Sequence, residues 1–240
     1  MLSHTGAFAE AVRGDASLSS TILPLLRHLL PLHAEGEVCN VTDDRVPLVE
    51  EMNIVNKAVA KRRREFAAGR RAAHSAMRRL GLPLEPLLAS RDRTPIWPPG
   101  VIGSISHTSQ IAFAAVSSEA HFQGLGVDVE EGGALPSDIV AHVCAPSELK
   151  YLAQWSAEVG GDAAKLLFSA KEAFYKSYYP IRRRFLEFLD VAIALRPAYN
   201  SFEITLVHDR SLDEATISGR FGWALGHVFS IVTIHPHNLV

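Results

Sequence analysis

Two short segments carry side chains of the right type and spacing for chemistry on a polyanion. In Gly126-Val127-Asp128-Val129-Glu130 two carboxylates alternate. In Phe168-Ser169-Ala170-Lys171-Glu172-Ala173-Phe174-Tyr175-Lys176 a carboxylate shares a helical segment with two ammonium groups. On a strand, residues i and i+2 share a face about 6–7 Å apart. Asp128 and Glu130 then repel each other unless a cation sits between them, while Val127 and Val129 turn to the opposite, apolar side. Mg²⁺ takes oxygen ligands and often shares carboxylates with substrate phosphates. On a helix, Glu172 and Lys176 are four apart and share a face. Phe168 and Tyr175 can anchor the other. Together the segments could hold a hard divalent cation and a polyphosphate, which points to phosphoryl-type transfer. Each alone has a plainer reading. Asp-x-Glu suits a solvated strand edge, and Glu172 with Lys176 suits a surface ion pair of about 0.3–0.5 kcal/mol.

Two further segments bear on anion binding. Gly103-Ser104-Ile105-Ser106-His107-Thr108 joins two short strands. Small hydroxyls, a glycine and a histidine in a turn can donate several hydrogen bonds to a phosphate. A turn with a surface histidine is the plainer alternative. The run Lys61-Arg62-Arg63-Arg64, with Arg70 and Arg71, is strongly basic. It reads as a solvated helix face, as a nucleic-acid helix, or as a contact to an anionic small ligand.

The elements that must position these groups follow from periodicity. From Pro47 to about Leu80, Leu48, Met52, Val55, Val59, Phe66, Ala73 and Met77 recur at helical spacing. Gly69 lies inside that pattern and suggests a kink. Gly81 and Pro83 stop it. Residues 101–106, 111–117 and 124–130 read as strands, and 111–117 is apolar enough to be buried. Residues 147–155 read as a helix capped near Ser147, and 163–179 as a helix closed by Pro180. Residues 189–195, 202–207 and 220–234 read as strands of an antiparallel sheet. The first 40 residues look irregular or weakly helical. This order suggests an α+β fold rather than a doubly wound α/β one.

The bulk numbers bound the function classes. A chain of 240 residues is long enough for one large domain or two small ones. A net charge of −2 argues against a wholesale nucleic-acid or membrane binder. Cys39 and Cys144 are too far apart in sequence for a zinc pair or a disulfide framework, and a single disulfide stays open. No charged segment followed by an apolar run marks a signal peptide. Residues 21–32 are apolar but broken by Pro24, Arg27, His28 and Pro31, too short and too polar for a span. The expectation is a soluble cytoplasmic protein.

In this order and spacing the segments resemble the phosphopantetheinyl transferases of the surfactin and enterobactin synthetase type. The first block of that family is similar to Arg64-Glu65-Phe66-Ala67-Ala68-Gly69-Arg70, followed by Ala72, Ala76 and Leu80-Gly81. The second resembles Arg93-Thr94-Pro95-Ile96-Trp97-Pro98 with Gly103-Ser104-Ile105-Ser106-His107. The third and fourth are the two segments that open this reading. Phe168 stands where many relatives carry tryptophan, which keeps an aromatic anchor. The resemblance runs from about Lys61 to Lys176, roughly half of the chain.

The resemblance implies a fold of two similar α+β halves in a pseudo-twofold arrangement, with the active site in the cleft between them. The halves would be 1–119, with the basic helix and coenzyme A contacts, and 120–240, with the metal site. It implies transfer of the phosphopantetheine arm of coenzyme A to a serine of an acyl, peptidyl or aryl carrier protein, with Mg²⁺, by a monomer that binds no nucleic acid. It implies Asp128, Glu130 and Glu172 as metal ligands, with Asp128, Glu172 and Lys176 catalytic. Glu172, or a water it orients, would be the base. Arg62, Arg63, Arg70, Arg93, Ser106, His107, Lys171 and Lys176 would contact coenzyme A. Glu148 matches a further acidic position. The competing readings are a non-catalytic module that holds an anionic partner and another Mg²⁺-dependent enzyme acting on nucleotides.

Overall fold

The apolar run at 111–117 forms the centre of a three-stranded antiparallel sheet. The structure, a computed structural model, describes residues 18, 21–22, 24–43, 45–207 and 217–235. Strand β1 (Ala34–Asn40) and strand β2 (Val101–His107) flank β3 (Ile111–Ser118). In this register Phe113 lies opposite both Val38 and Ser106. Strand β1 was expected to be irregular. It alternates exposed-type Glu35 and Glu37 with Gly36 and Val38, so only its pairing with β3 defines it. The irregular reading of residues 1–17 lies outside the described residues.

The expected long helix from Pro47 is two elements. Helix α1 (Val49–Met52) runs into a 3₁₀ turn at Asn53–Val55, and helix α2 (Ala60–Arg79) starts afresh. Helix α2 passes through Gly69 without interruption. A Cβ at Gly69 would stand 2.8 Å from Ile105 Cγ2, so the glycine serves close packing on β2 rather than a kink. The alanine stripe Ala68, Ala72, Ala73 and Ala76 packs on Ala112, Ala114 and Val116 of β3.

The second sheet has five antiparallel strands. They are β4 (Gly124–Glu131), β5 (Val191–Arg196), β6 (Ser201–Leu206), β7 (Ile217–Ala224) and β8 (His227–Ile234), in the order β4-β8-β7-β6-β5. The expected strand over 220–234 is a hairpin. Leu225 and Gly226 both take positive φ at its turn, as a tight two-residue reversal requires. Short helices α3 (Ser137–Val143), α4 (Pro146–Leu149) and α5 (Leu152–Val159) precede helix α6 (Ala163–Arg182). The helix expected at 147–155 is thus split. It is entered at Ala145, whose N–H donates to Glu148 Oε2 at 2.6 Å, not at Ser147. Asp162 caps α6 by accepting from Lys165 N at 2.7 Å. Pro180 sits in the last turn and does not end the helix, which closes at Arg183 in the left-handed region.

Each sheet carries one 20-residue helix. Helix α6 buries Leu166, Leu167, Ala170, Phe174 and Tyr178 on the five-stranded sheet. A separate apolar cluster, with Val127 and Val129 of β4, Phe113 of β3 and Phe229 of β8, joins the two sheets. Fully buried side chains of this size contribute about 1.5–3 kcal/mol each. The fold is α+β, as expected. Cys39 and Cys144 are both buried, and among the described residues neither forms a disulfide. Among the described residues no helix is long and apolar enough to cross a membrane.

Candidate active site

Helix α6 and strand β4 touch backbone to backbone. A Cβ on Gly126 would fall 1.9 Å from Ala173 O, a clash no shift of a side chain relieves. Glycine at 126 and alanine at 173 therefore let the helix settle on the strand. Two residues beyond Gly126, on the same face, come Asp128 and then Glu130. Flanking Ala173 on the helix are Glu172 and Lys176. The packing of two small residues thus brings the two charged segments together.

Lys176 Nζ donates to Asp128 Oδ1 at 2.6 Å and to Ser106 Oγ at 3.1 Å. Ser106 Oγ donates to the same Asp128 Oδ1 at 2.8 Å. Strand β2 of the first sheet and β4 of the second therefore meet at one carboxylate. Asp128 is 2% exposed, and its Oδ2 is buried with no hydrogen-bond partner among the described residues. Burial, then the charge of Asp128, pushes the Glu130 carboxyl up to about 7, with Glu172 adding to it. Burial raises Glu172 as well, with Lys176 opposing and Asp128 reinforcing.

The Asp128 charge reaches both Glu130 and Glu172 and helps to raise their carboxyls. Among the described residues the three carboxylates are not drawn into a closed metal-ligand set. The donor chemistry nevertheless fits a hard divalent cation. All three offer carboxylate oxygens, one of which is buried and unpaired, and their mutual repulsion is what such a cation relieves.

The neighbour of Ser106 faces a different place. Successive strand residues point to opposite sides, and His107 lines a cavity of about 560 Å³ with Arg62, Phe66, Arg70, Ser90 and Arg93. That volume is in the range of small-ligand sites. Arg62 Nη1 donates to His107 Nε2, which places the ring proton on Nδ1. Burial, then Arg62, lowers the His107 pKa, so the ring is a neutral acceptor here. Arg70 is 5% exposed and stacks over the Phe66 ring, 4.3 Å from its centroid. Arg93 adopts a positive φ of 68° in a turn closed by its N–H to Ser90 O at 3.0 Å. The cavity is a basic pocket with an aromatic and aliphatic floor, separated from the acid cluster by the thickness of one strand.

Known proteins are similar to this chain over both halves of its length. A model of the 4'-phosphopantetheinyl transferase N-terminal domain matches residues 50–117, and one of the 4'-phosphopantetheinyl transferase superfamily matches residues 124–224. The 4'-phosphopantetheinyl transferase Svp of Streptomyces mobaraensis is 39% identical over 223 residues, covering 88% of each chain. The chain belongs to the 4'-phosphopantetheinyl transferase superfamily. PptT of Mycobacterium tuberculosis, a 4'-phosphopantetheinyl transferase, is 32% identical over 174 residues, 72% of this chain and 76% of that one. Enterobactin synthase component D of Salmonella typhi is 37% identical over 128 residues, about half of either chain.

In this transferase not every sequence-predicted contact lies in the cleft. Arg62, Arg70, Arg93 and His107 line it together. Arg63 lines a separate surface cavity with Asp43, Arg45 and Arg64 on another side of α2. Ser106 is in the acid cluster, not beside His107. Lys171 is 2% exposed, and its ammonium donates to Val143 O at 2.7 Å, Glu148 Oε2 at 2.8 Å and Phe188 O at 3.1 Å. Glu148 Oε1 also accepts from Ile193 N at 2.7 Å. The Lys171–Glu148 pair therefore ties α4, α6 and β5 together inside the transferase, and Lys171 borders a small cavity of about 130 Å³ with Glu172, Tyr175 and Glu187, apart from the basic pocket.

Four further residues contribute that the sequence does not mark as site residues. Glu65 is buried on the cleft wall, 3.9 Å from both Arg62 Nη1 and His107 Nδ1. Asp92 and Arg183 pair at 3.0 Å, linking the loop that bears Arg93 to the end of α6. The serine and threonine hydroxyls of Ser90 and Thr94 hold the Asp92 carboxyl well below the usual carboxylate range. Glu51 lies fully buried behind Arg70. Glu65 and Arg62 are an i,i+3 pair within α2, but the contacts of Glu65 with His107, Asp92 with Arg183 and Glu51 with Arg70 span irregular segments, where neither helical nor strand periodicity reports which side chains meet.

Proposed function

We propose that this transferase moves the 4'-phosphopantetheine arm of coenzyme A onto a serine of an apo acyl, peptidyl or aryl carrier protein, releasing 3',5'-ADP, in a Mg²⁺-dependent reaction in the cytoplasm. The observation that carries the reading is the meeting of Ser106, Asp128 and Lys176 on one side of β2 while His107 faces the basic cavity on the other. A polyanion with a terminal phosphate and an internal pyrophosphate suits that double site. The proposal keeps two halves, 1–119 and 120–240, in a pseudo-twofold pair; that the two family models fall on either side of residues 118–123 supports the division.

Arg62, Arg70, Arg93 and His107 would receive the 3'-phosphate and adenosine end of the donor, with guanidinium groups supplying charge-assisted hydrogen bonds. Lys176 would exchange Asp128 for the pyrophosphate and stabilise charge as it develops there. Glu172, raised by burial, suits the base that takes the proton from the carrier serine, directly or through a water. The serine oxygen then bonds to the phosphorus that bears the pantetheine arm, and the bond from that phosphorus to the ADP oxygen breaks. Asp128, Glu130 and Glu172 would hold Mg²⁺, which when bound supplies Lewis-acid polarisation and charge neutralisation at the pyrophosphate. Lys171 and Arg63 take no part in this reading.

The experiment that tests it is chromatographic detection of 3',5'-ADP. Release that requires coenzyme A, an apo carrier protein and Mg²⁺ together supports the reading. Release without a carrier, or none with any of several carriers while coenzyme A fails to bind, contradicts it.

A further inference from the structure

Glu51 is a fully buried acid that the reaction does not use. It sits in α1, and four groups from three segments converge on it. Its Oε1 accepts from Leu87 N at 2.8 Å and lies 2.8 Å from His74 Nε2. Its Oε2 accepts from Leu48 N at 3.1 Å. Arg70 Nε stands 3.9 Å from Oε1. Arg70 in turn donates through Nε to Leu87 O at 2.9 Å. The Leu87 residue is therefore held at its N–H by Glu51 and at its C=O by Arg70.

That grip has a consequence for the cleft. After Leu87 the chain runs through Ala89, Ser90, Arg93 and Pro95, all of which line the cavity. The segment has no strand of its own beyond one bridge between Ala89 and Pro95. An irregular segment takes its shape from whatever satisfies its backbone groups. Here backbone bonds such as Ile96 N to Leu88 O at 2.9 Å and Ser90 N to Thr94 O at 2.9 Å close the turn on itself, and a buried carboxylate and a buried guanidinium anchor its entry at Leu87. Burial lowers the Arg70 pKa to about 10, and Glu51 is the acid that opposes this. An apolar side chain would fill the Glu51 volume without the desolvation cost of a buried charge. The carboxylate is worth its cost only for what it holds in place.

We infer that Glu51 is a positioning residue for the donor cleft, fixing the Arg70 guanidinium and the 87–95 segment in the arrangement that receives the phosphorylated adenosine end of the donor. The inference rests on the reading that this cleft takes coenzyme A. A residue of this kind acts on donor binding and leaves the chemistry at Glu172 and Lys176 alone.

The test uses the full chain with Glu51→Gln, which keeps the shape and one acceptor oxygen but removes the charge. Calorimetric Kd values for coenzyme A and 3'-dephospho-coenzyme A are read beside kcat and KM. The expected result is a rise of about tenfold in Kd and KM for coenzyme A, kcat at saturation within about twofold, and little change in Kd for 3'-dephospho-coenzyme A. In an Arg70→Gln background the same substitution should add almost nothing, because the two residues act as one unit. An unchanged Kd for coenzyme A overturns the inference. So does a lower kcat with unchanged KM, which is what a merely structural role produces. If Glu51→Gln yields no folded protein, His74→Ala carries the test. Loosening Glu51 should then raise the coenzyme A Kd, and an unchanged value overturns the inference. A wild-type protein that binds no coenzyme A defeats the cleft reading and this inference with it. Wild-type binding with an unaffected variant defeats only the inference.

Discussion

Lys176 Nζ lies 2.6 Å from Asp128 Oδ1, a contact across 48 residues that ties helix α6 to strand β4 at the point where the two sheets meet. The lysine is the counter-charge of a carboxylate whose second oxygen has no hydrogen-bond partner among the described residues. Asp128→Asn should therefore leave the fold intact while activity falls by about 10²–10³-fold, the cost of losing one preorganised charge at a phosphoryl centre. Circular dichroism and steady-state rates check it together. Near wild-type turnover would remove Asp128 from the site.

Glu130 makes stability depend on pH in a predictable direction. Its carboxyl is pushed from 4.5 to about 7 in the folded chain. Across that window the unfolded state has lost its proton and the folded state has kept it, so stability falls as pH rises from 4.5 through about 7. Melting temperatures in EDTA should decline over this range, and Glu130→Gln should flatten the decline. An identical slope in the variant would show that Glu130 is not the group responsible. Mg²⁺ binding, which needs ionised carboxylates, should strengthen over the same window.

Arg62 and Arg63 are adjacent in sequence but line different cavities. Arg62→Ala and His107→Ala should each raise KM for coenzyme A by about tenfold or more, the value of a charge-assisted hydrogen bond. The rise should be smaller for 3'-dephospho-coenzyme A. Arg63→Ala should leave both nearly unchanged. Equal losses for Arg62→Ala and Arg63→Ala would show that the helix register places the basic run differently.

Lys171 belongs to the interior. Removing it leaves Glu148 buried without its counter-charge, so Lys171→Ala should cost about 3–5 kcal/mol of stability. Chemical denaturation measures that loss. The folded fraction should bind coenzyme A with wild-type affinity. A stable variant with weakened coenzyme A binding would return Lys171 to the ligand contacts.

The sequence made the chemistry legible where spacing maps directly onto geometry. Asp128 and Glu130 share a face because strands repeat every two residues, and Glu172 and Lys176 share one because helices repeat every 3.6. Strand β4 was readable for the same reason, and β3 by its continuous apolar run. Lys171 adjoins Glu172 in sequence, yet adjacent helical residues point about 100° apart, and this one turns inward to Glu148, which sequence spacing alone does not report. Strand β1 was missed because its pattern is diluted by Gly36 and by acids at an edge. Gly69 looked like a kink, while its actual role depends on Ile105, 36 residues away. Glu51 gave no signal, since its partners at His74 and Leu87 are fixed only by tertiary packing.

Intact-protein mass spectrometry of an apo carrier protein tests the proposed reaction most directly. The carrier would be incubated with the purified transferase and coenzyme A, with Mg²⁺ or with EDTA. The expected result is a carrier heavier by one phosphopantetheine group in Mg²⁺ and unmodified in EDTA, with Glu172→Gln slower by about 10²–10⁴-fold. Equal modification in EDTA, or an undiminished rate in Glu172→Gln, would contradict the acid cluster as the site of the reaction.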